Sequence, residues 1–229
     1  MATPPYTLDT IPTPAYVLEE DLLRKNLQVV RHVAEQAGVE IILAFKAYAL
    51  WKTFPIFREY ISGCTASSPW EAQMGHEQMQ CLTHTYAPIY RDEDLETILR
   101  CSGHLTFNSL GQFERFYPQV ATYEGHRISC GLRINPEYSE VETDLYNPAS
   151  PTSRLGIPAA DLPAQLPAGV EGLHFHTHCE SNSYALERTL EVVEQKFAPQ
   201  LEQVEWINMG GGHLMTEKDY DTDHLIQLL

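Results

Sequence analysis

The chain is short of positive charge, of paired cysteines and of long apolar runs. It carries 15 lysines and arginines against 31 aspartates and glutamates, a formal net charge of −16 over 229 residues. Nucleic-acid binding needs a basic footprint, so that class is set aside. The same negative field suits a cationic ligand. The five cysteines, Cys64, Cys81, Cys101, Cys130 and Cys179, are odd in number and form no CxxC pair. They read as buried free thiols of a reducing, cytoplasmic compartment. No stretch approaches the ~18 apolar residues that span a bilayer. The opening MATPPYTLDTIPTP has neither the basic start nor the apolar core of a signal peptide. There is no low-complexity tract and no short repeat. With 43% hydrophobic and 20% charged residues, what remains is a soluble globular protein of one large domain or two small ones.

What is present is an alternation. Ala15–Leu18 follows Pro14 and predicts a short strand. Apolar residues at Leu22, Leu23, Leu27, Val30, Val33 and Ala34 recur at helical spacing over 19–37, and Gly38 ends that helix. Ile41–Phe45 is a continuous apolar run, as in a strand buried on both faces. Further strand-like runs lie near Gly63–Ala66, His84–Ile89, His104–Phe107, Ile128–Ile134, Gly172–Phe175 and Trp206–Met209. Helical stretches at Pro69–Gln80, Asp92–Cys101, Leu110–Tyr117 and Ala185–Phe197 lie between them. This βαβα order predicts an α/β fold with a parallel sheet, doubly wound or barrel. Seven strands are counted from Ile41 onward. A (β/α)8 barrel has eight, in about 250 residues.

Four segments sit where predicted strands end, the ligand-binding edge of parallel α/β folds. In ILAFKAYA, Lys46 follows an apolar strand. Partial desolvation there would lower its pKa and free a neutral amine able to form a Schiff base with an aldehyde. The bland alternative is a lysine whose head reaches solvent. In HFHTHCE, His174, His176 and His178 share one face of a regular strand. They could bind zinc, or stack one ring on a flat cofactor, or simply be hydrogen-bonded barrel histidines. In WINMGGGH, Gly210, Gly211 and Gly212 could bring backbone N–H groups to an anion, phosphate above all, or form a plain turn. In GLRINPEYSEVETDLYNPASPTSRLGI, Arg133 stands at a strand end. Glu137, Glu140, Glu142 and Asp144 follow in a loop too long for a simple connection. That loop could hold a polyamine, or be a solvated surface.

Taken in order from about Thr13 to the end, LAFKAYA, LRINPEYSEVETDLYNP, SRLG, HFHTHCE and NMGGGHLMT resemble the alanine-racemase-type (fold type III) pyridoxal-phosphate enzymes. Within them the resemblance is to the diaminopimelate, ornithine and arginine decarboxylases, and above all to the carboxynorspermidine (carboxyspermidine) decarboxylase branch. It implies decarboxylation of a cationic carboxy-polyamine to norspermidine or spermidine, in a cytoplasmic homodimer. Lys46 would hold pyridoxal 5′-phosphate and His176 would stack on its ring. Gly210, Gly211 and Gly212 would cradle the phosphate, with Arg133, and Glu71 in ASSPWE, near the cofactor. The acidic residues Glu137, Glu140, Glu142 and Asp144 are candidates for the substrate amines on charge alone, and no metal is implied. The segment after the stacking histidine is often Gly-Ser in relatives, whereas here it is His178-Cys179.

The resemblance also predicts what is missing. The family pairs the ring nitrogen with a glutamate of an eighth strand, and a cysteine from a C-terminal β-domain reaches the partner's site. Neither segment is present. The expectation is therefore an incomplete (β/α)8 TIM barrel at 19–229, C-terminally truncated, with little or no turnover. It is preceded at 1–18 by a segment whose strand would normally join the missing β-domain. Two other readings stay open: a non-catalytic pyridoxal-phosphate-binding barrel, and a zinc-dependent barrel hydrolase using the HxHxH run.

Overall fold

The structure is a computed structural model that describes residues 8–150 and 152–229; of Leu8 and Asp144 it describes the backbone alone. The strands are β1 Leu43–Ala44, β2 Cys64–Ala66, β3 Thr83–Tyr86, β4 Ser102–Phe107, β5 Ser129–Asn135, β6 Ile157–Pro158, β7 Val170–His174 and β8 Trp206–Asn208. The α-helices are α1 Glu20–Ala37, α2 Phe54–Phe57, α3 Pro69–Met74, α4 Leu95–Cys101, α5 Leu110–Ala121, α6 Ser183–Leu201 and α7 Thr222–Leu228. All strand pairs are parallel. The sheet runs β1-β2-β3-β4-β5-β7-β8, with the two-residue β6 beside the end of β5. Among the described residues β1 and β8 do not pair with each other. The result is a curled, open sheet of seven parallel strands, an incomplete barrel of the (β/α)8 type.

Local chemistry sets the helix ends. The Ser68, Ser109, Asn182 and Asp221 side chains each accept the N–H three residues on, at the starts of α3, α5, α6 and α7. Gly38, at φ 71°, closes α1 by donating its N–H to the Ala34 carbonyl. The predicted helix 69–80 divides into α3 and a π-helical turn, Gly75–Met79. The predicted strand 41–45 shrinks to the two residues of β1. No strand forms at 15–18, where Tyr16, Val17 and Leu18 are exposed; residues 1–7 of the same segment lie outside the described residues.

Alternation along each strand builds two interiors. One parity faces the helices: Leu105, Phe107, Leu132, Ile134, Leu173 and Phe175 pack against Phe113, Phe116, Leu186, Val193 and Phe197. Each such side chain, removed from water, contributes about 1.5–3 kcal/mol. The other parity faces the inside of the curl. There Gly131 and Gly172 lie in register on β5 and β7, and the Trp206 indole of β8 lies over both. A Cβ on Gly172 would meet the indole at 2.0 Å. The register steps by one residue at Glu171, whose carboxylate accepts from Ser129 and Arg127. Trp206 Nε1–H also donates to the Ser129 hydroxyl, at 2.8 Å.

Candidate functional site

The carboxyl ends of the strands surround a cleft of about 440 Å³. Lys46 enters it from the turn after β1, Arg133 from β5, His174 and His176 from the end of β7, and Gly210–Gly212 from the turn after β8. Four segments distant in sequence thus meet where a parallel sheet opens.

Lys46 Nζ lies 3.4 Å from His176 Nε2. The lysine is reached by solvent through the open mouth of the cleft, yet the walls strip enough water to lower its pKa. Arg133 lowers it further, and the Glu71 carboxylate opposes both. His176 is held near pKa 3, first by burial and then by the positive charges of Lys46 and Arg133. Its Nδ1 accepts the Gly211 N–H at 3.1 Å. A neutral ring whose Nδ1 accepts carries its proton on Nε2, toward Lys46. An ammonium facing that N–H would set donor against donor. The neutral amine, which can accept, fits the geometry.

Arg133 is 4% exposed. Among the described residues no carboxylate forms an ion pair with it, and its Nε makes no hydrogen bond. One terminal nitrogen donates to the His176 carbonyl at 3.2 Å, and the guanidinium lies 4.7 Å from the Tyr86 ring centroid. A buried cation without a counter-charge is costly, and here it faces the cleft, so an anionic guest would stabilise it. Tyr86 is fixed in turn: its hydroxyl donates to Asn108 Oδ1, which also accepts the Gly156 N–H of the SRLG segment.

The glycine triplet divides its labour. Gly210 and Gly212 have φ of 73° and 101°, and a Cβ on either would strike the strand β7 backbone or its continuation. A Cβ on Gly211 would meet nothing within 4 Å. The N–H of Gly210 is given to Asn208 Oδ1 and that of Gly211 to His176, and the Gly212 N–H makes no hydrogen bond among the described residues.

His174 donates from Nδ1 to both oxygens of Asn208 at 3.0 Å and is held near pKa 3 by burial. His178 is 3% exposed and its Nε2 finds no partner. The three histidines therefore do different things, and among the described residues no group of three or more His, Cys, Asp or Glu is gathered to hold a metal ion. Glu71 is not on the cleft wall. It caps its own helix start, accepting the Ser67 N–H at 2.5 Å, and acts on Lys46 through charge.

The acidic loop is arranged otherwise than its charge suggests. Glu140 is gripped by two guanidinium nitrogens of Arg188 on α6 and by the Tyr138 hydroxyl, and Glu137 pairs with Lys196 at 3.3 Å. Glu137, Glu140 and Glu142 do not line the cleft. Asp144 opens a 3-10 turn, Asp144–Tyr146, and its side chain lies outside the described residues. The carboxylate on the cleft wall is Glu180, the only one among the described residues, carried at φ 49°. Glu180 ends the HFHTHCE run, where the sequence pointed to no role for it. Thr65, Ser67, Tyr86, Thr106 and Asn208 on the same wall were also passed over; their strand-end positions were the available signal.

No family model matches the chain. Over 97% of its length it is 46% identical to the carboxyaminopropylagmatine decarboxylase of a Synechocystis strain, covering 57% of that protein. Over 96% it is 42% identical to the carboxynorspermidine/carboxyspermidine decarboxylase of Campylobacter jejuni, covering 56%. The crystal structure of carboxynorspermidine decarboxylase from Campylobacter jejuni, complexed with norspermidine, matches at TM-score 0.87 and 41% identity, over 95% of this chain and 55% of that one. Diaminopimelate decarboxylase from Helicobacter pylori, complexed with L-lysine, matches at TM-score 0.73 and 17% identity, over 96% of this chain and 60% of that one, a likeness of fold alone. The chain spans little more than half the length of the relatives it matches.

Proposed function

We propose that this chain, a homologue of the carboxynorspermidine/carboxyspermidine decarboxylases, forms the pyridoxal-phosphate-binding part of an enzyme that decarboxylates a carboxylated polyamine. One observation carries the reading: a lysine amine of lowered pKa, an uncharged imidazole and an unpaired buried guanidinium converge on one cleft. These residues fit a flat, anionic aldehyde. Lys46 would hold it, the His176 ring would flank it, and Arg133 and the Gly212 N–H would meet its negative charge, with the space beside Gly211 left open.

Bound pyridoxal phosphate supplies an electrophilic carbon for an amine and a sink for the electrons left when carbon dioxide departs. The chain's own residues prepare that chemistry. Burial and Arg133 favour the neutral form of the Lys46 amine, and the Nε2–H of His176 can engage its lone pair. With a pKa near 3, His176 remains uncharged at neutral pH and adds no competing cation. Arg133 contributes a positive charge at the cleft wall. Glu180 places one carboxylate on the wall, where a substrate ammonium can pair with it. Glu137 and Glu140, already paired with lysine and arginine, instead hold the acidic loop on α6. The net charge of −16 raises the local concentration of a polycation. Cytoplasmic location and homodimeric assembly belong to the same proposal. Five free cysteines support the first, and light scattering of the purified protein tests the second.

Intact mass after incubation with pyridoxal phosphate and borohydride tests the cofactor assignment. A single phosphopyridoxyl adduct, absent from Lys46→Ala, is expected. An unmodified wild-type chain, or an adduct that persists in the variant, would overturn it.

A further inference from the structure

We propose that Cys64 and Cys81 form a peroxide-sensitive dithiol, a site of reversible oxidation on the outer side of the sheet. It is independent of the cofactor reading. Their sulfurs lie 3.3 Å apart, in hydrogen-bond contact. Cys64 is wholly buried on β2, packed with Phe45, Phe54, Phe57 and Met79, while Cys81 is half-buried just beyond the π-helical turn Gly75–Met79. No other pair among the five thiols shows such a contact among the described residues.

The two thiols are unequal in the sense the reaction requires. Their contact lowers the Cys81 pKa against the opposing effect of burial and raises that of Cys64. The thiolate is the nucleophile, and Cys81 is also the more accessible of the pair. Its thiolate attacks one oxygen of hydrogen peroxide. The O–O bond breaks, hydroxide leaves and is protonated to water, and Cys81 becomes a sulfenic acid. The Cys64 sulfur then attacks Cys81 Sγ, the S–S bond forms, and the sulfenic hydroxyl departs with the Cys64 proton as water. The two sulfurs lose two electrons together and the peroxide gains two. Closing the bond needs the sulfurs to approach by a little over 1 Å to the usual ~2.0 Å. The approach falls on the chain just past the π-helical turn at 75–79, where the Cys81 N–H reaches the Gly75 carbonyl only at 3.4 Å.

The location gives the bond a consequence. Thr65 follows Cys64 and lines the cleft, and Ser67 lies two residues further along the same wall. Ser67 holds Glu71, which in turn acts on Lys46. Oxidation would tether both ends of the segment that carries Glu71.

The test is peptide mapping of the folded chain after stepwise hydrogen peroxide, with the remaining thiols alkylated. A Cys64–Cys81 cross-linked peptide, two hydrogen masses lighter than the reduced pair, is expected before Cys101 and Cys130 react. Dithiothreitol should reverse it. Cys64→Ser should leave Cys81 as a trappable sulfenic acid, and Cys81→Ser should leave Cys64 reduced. A Cys179→Ser background removes intermolecular cross-links through the exposed thiol. Alkylation of Cys64 and Cys81 as free thiols at peroxide levels that oxidise Cys179 in the parent chain, or equal oxidation of all the cysteines, would overturn the proposal.

Discussion

The two ends of the curled sheet use the same kinds of residue to opposite purposes. At the amino end, Ser129, Glu171, Arg127 and Trp206 satisfy one another, and His84 stacks on His104 with ring centroids 3.8 Å apart. At the carboxyl end, a guanidinium, an amine, a backbone N–H and a carboxylate face a cleft with their pairings incomplete. One end spends its polar groups on the fold, and the other keeps them for a guest. Paired substitutions separate the two. Lys46→Ala should abolish the borohydride-trapped adduct while leaving the unfolding free energy from urea titration within about 0.5 kcal/mol of the parent, since the lysine is exposed at the mouth of the cleft. Gly172→Ala should do the reverse. Its Cβ would meet Trp206 at 2.0 Å, and the indole is held by Ser129 and flanked by His104. Overpacking of this kind costs about 3 kcal/mol. Adduct yield per folded molecule should not change. Equal damage by both variants to both readouts would erase the distinction between the ends.

The next largest effect is on pH dependence. His174 and His176 are held near pKa 3, and His84 and His213 near 4, all mainly by burial. In the unfolded chain each titrates near 6.5. Between those values the unfolded state binds more protons, so stability is fully present above about pH 6.5 and falls as pH drops toward 4. The slope is about 1.4 kcal/mol per pH unit for each proton. His84 stacks on His104 yet also reaches the cleft lined by His174 and His176, and all four should contribute. Melting temperature followed from pH 7 to 4.5 should decline steadily, and His84→Asn should flatten the slope by one proton. A flat profile would mean that these imidazoles are charged in the folded state.

Much of this arrangement was legible in the sequence, for reasons that also mark where legibility stopped. The strands Ser102–Phe107 and Ser129–Asn135 and helix α6 emerged nearly whole, because apolar periodicity reports burial directly. Lys46, Arg133, His176 and the glycines were singled out as strand-end residues, where parallel sheets bind ligands, and all of them line the cleft. The acidic loop misled, because charge density says nothing about partners: Arg188 and Lys196, some fifty to sixty residues away in sequence, had already claimed Glu140 and Glu137. Glu180 stayed invisible because its place on the wall depends on the chain turning through a positive φ after β7. The strand expected at 15–18 has no neighbour to pair with among the described residues, and β-propensity without a partner makes no strand.

A smaller effect separates charge from desolvation within the cleft. Glu71 raises the Lys46 pKa, whereas burial and Arg133 lower it. Glu71→Gln removes the stabiliser of the ammonium, so the amine should become reactive at lower pH still. The rate of reductive pyridoxylation at Lys46 against pH would show its midpoint moving down by a fraction of a unit. An upward shift would mean that Glu71 acts on Lys46 by position and not by charge.

The finest comparison lies inside the glycine triplet, where adjacent residues obey different constraints. Gly212→Ala places a Cβ 2.3 Å from the His178 carbonyl oxygen on a backbone at φ 101°, and such strain costs about 1–3 kcal/mol. Gly211→Ala places one in open space on an ordinary backbone, and stability should stay within about 0.5 kcal/mol of the parent. That same open space borders the cleft, so the new methyl would stand where an anion is to approach. Weaker pyridoxal-phosphate capture by a Gly211→Ala chain of unchanged stability would assign the gap to the ligand. Unchanged capture would place the phosphate elsewhere, with Arg133 as the remaining anchor.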